Sequence, residues 1–118
     1  MSDVYNPVTV EQEIRTSVND IGKSVIPRGD AYEAYEKALL EYELAYDVAY
    51  ENADGPQLGR KYKAGIATAD LKRTMVIAKI AYRRAEMWGK ALEYRLGGMQ
   101  SVGRSVGGAY GAAGRGES

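Results

Sequence analysis

Arg60 to Leu96, RKYKAGIATADLKRTMVIAKIAYRRAEMWGKALEYRL, decides the fold. On a helical wheel Ala67, Ala78, Ala81, Ala85, Trp88, Leu92 and Leu96 converge on one side, and Lys61, Lys72, Lys79, Arg83 and Lys90 converge on the opposite side. This pattern predicts one long amphipathic helix over 60–96, roughly 55 Å long at 1.5 Å per residue. Its small-residue seam has to be filled by something bulky, and its basic side faces away from that partner.

The preceding segment supplies the bulk. In residues 30–53 Tyr32, Tyr35, Leu39, Tyr42, Tyr46 and Ala49 recur at three and four, and a second stripe of Leu40, Leu44 and Val48 lies apart from them. Asp30 reads as the N-cap, with Glu33 at the capping-box position. Gly55 and Pro56 end the helix. The short connection DGPQLG (54–59) predicts an antiparallel hairpin, because short links join antiparallel neighbours. Ten tyrosines and no phenylalanine predict seams that are partly wet, since each hydroxyl needs a partner or the rim.

Upstream, Val10, Ile14, Val18, Ile21 and Val25 form one stripe of a short helix over 7–26, capped either by Asn6–Pro7 or by Thr9 with Gln12, and stopped by Pro27 and Gly29. Downstream, residues 97–118 are rich in glycine and predict either a flexible tail or a marginal helix carrying Val102, Val106, Ala109, Tyr110 and Ala113. The expected architecture is therefore all-α. A helical domain over 1–96 contains an antiparallel hairpin with a long second arm and a short N-terminal helix, and a Gly-rich tail follows.

Composition narrows the chemistry. The 118 residues contain no cysteine and no histidine. That removes thiolate ligands, a cysteine nucleophile and the commonest base near neutral pH. No catalytic residue, metal ligand or cofactor is assigned, and a non-enzymatic role is expected. No apolar run approaches the length of a membrane span, so a soluble cytoplasmic protein without a membrane partner is expected. Formal charge is zero but divided: residues 30–54 carry eight acids against Lys37, a net of −7, and residues 60–96 carry ten bases against Asp70, Glu86 and Glu93, a net of +7. The two segments either attract each other or present two differently charged surfaces.

Two candidate surfaces follow. The long helix outruns its partner and leaves Tyr82, Met87, Trp88, Leu92, Tyr94 and Leu96 to be covered. Either the N-terminal helix covers them, making a three-helix bundle, or a second copy does, making a homo-oligomer. The basic stripe Lys61, Lys72, Lys79, Arg83 and Lys90, with Arg104 and Arg115 in the Gly-rich segment, reads as a nucleic-acid contact surface or as an ordinary solvated face.

Arg60, Lys61, Ala64, Ala67 and Thr68 at the start of the basic helix, with Val102–Ser105 (VGRS) near the end, carry a resemblance. Over about residues 30–115 the chain resembles small helical-hairpin proteins of actinobacteriophages, which pair an acidic Tyr/Ala-rich helix with a basic one. The resemblance implies a phage protein of the early region, an accessory to DNA recombination or replication acting on DNA in the host cytoplasm. The alternative is an oligomeric interaction module, whether inhibitor, sequestering protein or scaffold, that binds a host or phage protein.

Overall fold

Asn6 and Pro7 start the first helix. The Asn6 Oδ1 accepts from the Thr9 N–H (2.9 Å) and the Thr9 hydroxyl (3.1 Å), and Pro7 takes the first helical position, where a missing N–H costs nothing. The computed structural model describes the backbone of residues 5–117 and the side chains of residues 5–109. It is an all-α helical hairpin of α1 (Pro7–Asn52), α2 (Gln57–Ala67) and α3 (Ala69–Glu117), without a strand among the described residues. Tyr110, Ala113 and Arg115 lie outside the described side chains.

The turn is built from a few local devices. Gly55 has φ +104°, a left-handed conformation that a side chain resists, and Pro56 in extended conformation precedes α2. Arg60 donates through Nε and Nη2 to the Tyr50 carbonyl (3.2 and 3.0 Å), with its guanidinium 4.5 Å above the Tyr50 ring. Lys63 Nζ donates to the Asp54 carbonyl at 2.9 Å. These cations satisfy carbonyls at and just beyond the α1 C-terminus and oppose its dipole.

Two breaks are placed differently from the sequence expectation. The short N-terminal helix and the helix beginning at Asp30 are one element: Pro27 lies inside α1, and Asp30 is not a cap. The expected helix over 60–96 is instead interrupted at Thr68 and runs on to Glu117. The buried Thr68 hydroxyl donates to the Ala64 carbonyl (2.7 Å), which also accepts the Thr68 N–H (3.1 Å). Such back-bonding opens a helix locally. Residues 97–117 take the helical alternative, so the Gly-rich stretch is the end of α3 and not a loose tail.

The continuity has a physical origin in burial. In the compact unit Ile26–Glu86, the series Arg28, Ala31, Tyr35, Ala38, Tyr42, Ala45 and Ala49 on α1 turns inward, with Leu39 and Tyr46 half-buried beside it. Facing them are Ala64, Thr68, Leu71, Met75, Ala78, Tyr82 and Ala85. Both series alternate three and four, the 3.5-residue period of a coiled-coil seam. Tyr82 stacks on Tyr35 (5.7 Å, 5°) and tilts against Tyr32 (5.2 Å). Arg28 makes a two-point contact with Glu86, Nε to Oε1 and Nη2 to Oε2, both 3.2 Å.

The other unit joins the chain up to Val25 to the chain from Met87. Its inward residues keep the same spacing: Val10, Ile14, Ser17, Ile21 and Ser24 on α1, with Gly89, Leu92, Leu96, Met99, Gly103 and Val106 on α3. Val18 and Val25 are exposed instead. Ser24 returns its hydroxyl to the Ile21 carbonyl (2.6 Å), whereas the buried Ser17 hydroxyl has no partner among the described residues. Arg95 reaches Glu13 (3.1 Å) and Asp20 (3.6 Å). A Cβ on Gly103 would stand 3.1 Å from Val10 Cγ1, so the backbone of α3 lies directly against α1 there.

Candidate interaction surfaces

Within the unit Ile26–Glu86 the fully buried residues are small, and several larger apolar side chains point out. Leu40, Leu44 and Val48 follow one another at four along α1 and are 57–59% exposed. Around them stand Glu36, Glu41, Glu43, Asp47 and Glu51, all exposed and without an ion pair among the described residues. This is the second stripe expected from the sequence. The short helix expected over 7–26 is part of α1 itself and does not exist as a separate element. On α2, Leu58, Tyr62 and Ile66 form another ridge at the same spacing, 67–79% exposed and interleaved with Arg60, Lys61 and Lys63. On α3, Ile77 and Ile80 are exposed beside Arg73 and Arg84.

The charges do not zip the helices of this unit together. Glu33 and Lys37 pair within α1 (2.9 Å), which holds the Lys37 amine above its ordinary value, first through the hydrogen bond and then through the charge of Glu33. Asp70 pairs with Arg73 within α3 (3.3 Å). The pair that does cross, Arg28–Glu86, has the opposite polarity to the acidic-to-basic attraction expected from composition. Lys61, Lys72 and Arg83 are exposed and Lys79 is half-buried, and none meets a carboxylate among the described residues. Lys72, Lys79 and Arg83 follow at seven and four on one side of α3.

In the other unit Lys90 and Arg104 are exposed, and Arg104 Nη2 donates to Ser101 Oγ at 3.2 Å. Arg115 is outside the described side chains. An open groove of about 720 Å³ runs between α1 and α3, floored by Val10, Ile14 and the bare backbone at Gly103 and Gly107. Arg15, Arg104, Glu11 and Gln100 stand on its rim. Its open space lies at Gly107, where an added Cβ would meet nothing within 4 Å, whereas Gly103 is already packed against Val10.

The six residues expected at an intersubunit face divide. Tyr82 and Leu96 are half-buried and Leu92 is buried within the chain's own seam, so the stretch from Arg60 to Leu96 is not left uncovered. α1 runs far enough back to meet it, and the three-helix bundle does not form. Met87, Trp88 and Tyr94 remain exposed. Among the described residues no group of carboxylates is placed to hold a metal ion, and no helix is long and apolar enough to cross a membrane. No protein-family model, curated protein or solved structure matches this chain, so the surfaces themselves carry the functional reading.

Proposed function

We propose that the chain is a non-enzymatic protein-interaction module, a helical hairpin that acts by presenting outward apolar ridges to partner helices, including those of another copy. One observation carries this reading. In the unit Ile26–Glu86 the fully inward residues are Ala38, Ala64 and Thr68, while Leu40, Leu44 and Val48 face out in a row. Large apolar side chains in contiguous rows on a soluble surface mark contact sites. The test is retention of a partner in cells. Wild type should co-purify with a stoichiometric partner, either another protein or another copy, and the variant L40K/L44K/V48K should lose it with unchanged helix content. Wild type emerging alone, as a monomer, rejects the reading.

A second reading has its own support. The exposed Lys61, Lys72 and Arg83, with Lys90 and Arg104, have no carboxylate partner among the described residues, as expected of a surface that meets phosphates. In this reading the chain is a phage-encoded accessory factor of DNA recombination or replication in the host cytoplasm. Binding to single- and double-stranded DNA should then fall steeply with salt, and K72E/R83E should abolish it. Absent binding at low salt, or binding without a salt slope, rejects it.

A further inference from the structure

Two surfaces on this chain are complementary to each other. The ridge Leu40–Leu44–Val48 spans nine residues of α1, about 12 Å of helix. The groove floored by Val10, Ile14, Gly103 and Gly107 is lined by α1 from Pro7 to Arg15 and by α3 from Gln100 to Gly107, again about 11–12 Å of each helix. On the α3 side Gly107 leaves open space, where an added Cβ would meet nothing within 4 Å, so a helix carrying a single row of Leu and Val can approach closely there. The rim carries Arg15 and Arg104 together with Glu11 and Gln100. Among the described residues Arg104 has no carboxylate partner, and Arg15 pairs with the exposed Glu11 at 2.7 Å, so Arg104 is the rim charge left for an incoming acid.

Charge then selects among the outward ridges. Leu58–Tyr62–Ile66 is set among Arg60, Lys61 and Lys63, and Ile77–Ile80 lies beside Arg73 and Arg84, so both meet an Arg-lined rim with like charge. Leu40–Leu44–Val48 is flanked by Glu41, Glu43, Asp47 and Glu51, none of which forms an ion pair among the described residues. We infer that the groove takes the acidic α1 ridge of a second copy of this chain. The proposal rests on the interaction-module reading and names its partner. Because ridge and groove are different surfaces, the contact is heterologous: two copies either exchange it reciprocally and close, or pass it on and grow.

Sedimentation of the full chain between micromolar and millimolar concentration tests this. Wild type should rise from the 12.9 kDa of one chain to at least twice that mass. Leu44→Glu removes the ridge at an already exposed position, and Gly107→Leu fills the groove at a position where an added Cβ meets nothing within 4 Å. Each variant alone should remain a monomer with wild-type helix content. Their equimolar mixture should recover dimer mass, because one retains the groove and the other the ridge. A monomeric wild type, self-associating variants, or a mixture that stays monomeric overturns the proposal. If wild type is monomeric yet loses a different, co-purifying protein in L40K/L44K/V48K, self-pairing fails and the interaction reading survives. If no partner of any kind depends on the ridge, both fail.

Discussion

Two residues show how locally this hairpin is specified. Gly55 sits at φ +104° in a turn whose neighbouring carbonyls are held by Arg60 and Lys63, so the chain reverses at one place only. Replacing it by alanine imposes the left-handed penalty, about 1–2 kcal/mol. Chemical denaturation of Gly55→Ala should show that loss, and an unchanged midpoint would mean that the turn relaxes to another conformation. Ser17 presents the reverse case. Its hydroxyl is fully buried and unpartnered, whereas Ser24, one heptad on, bonds the Ile21 carbonyl. An unsatisfied buried hydroxyl costs about 1–3 kcal/mol. Ser17→Ala should therefore stabilise the protein, whereas Ser24→Ala should not.

At the scale of the element, the decisive feature is that α1 does not stop at Pro27. A proline within a helix removes a ladder bond and crowds the carbonyl four residues back, at a cost of about 3 kcal/mol. The inward spacing of three and four is kept within each unit on either side of it. Tertiary packing therefore overrides the local signal, and it is also here that the chain divides into its two compact units. Pro27→Ala should raise stability by about 2–3 kcal/mol, net of the chain freedom that proline removes from the unfolded state. A loss of stability would show that the helix bends or ends at this residue. The same packing explains what could be read from the sequence and what could not. The hairpin, its turn and the Leu40–Leu44–Val48 stripe were legible because apolar residues mark them. The seam was legible only in part: Tyr35, Tyr42, Ala78, Ala85 and Leu92 were read as inward and are so, whereas Ser17, Ser24, Arg28, Thr68, Gly89 and Gly103 carry no apolar signal. A search for apolar residues at 3.6 selects Val18 and Val25, which are exposed. The close helix contact at Gly103 was unreadable for a related reason: Gly103 acquires meaning only from Val10, far away in the chain.

At the scale of the molecule the question is what the divided charge does. A segment of net −7 beside one of net +7 invites the view that attraction holds the hairpin together. In the unit Ile26–Glu86 the acids of α1 pair within their own helix or not at all, and the cross-helix pair has Arg28 on α1 and Glu86 on α3. In the other unit Arg95 meets Glu13 and Asp20 with all three side chains at least a third exposed, where such pairs contribute little. Folding therefore depends on the small-residue seam, and the charges remain for whatever approaches from outside. Between about 0.1 and 1 M sodium chloride, where the screening length falls from about 10 to 3 Å, stability should change by less than about 1 kcal/mol. For a chain of this size that is a shift of about 4 °C in the thermal midpoint. Association through the groove and ridge should weaken over the same range, since it places carboxylates against Arg104. A steep fall in the midpoint of a monomeric variant such as Leu44→Glu would instead mean that the opposite charges are spent within the fold, leaving neither ridge nor basic face free to recruit a partner by charge.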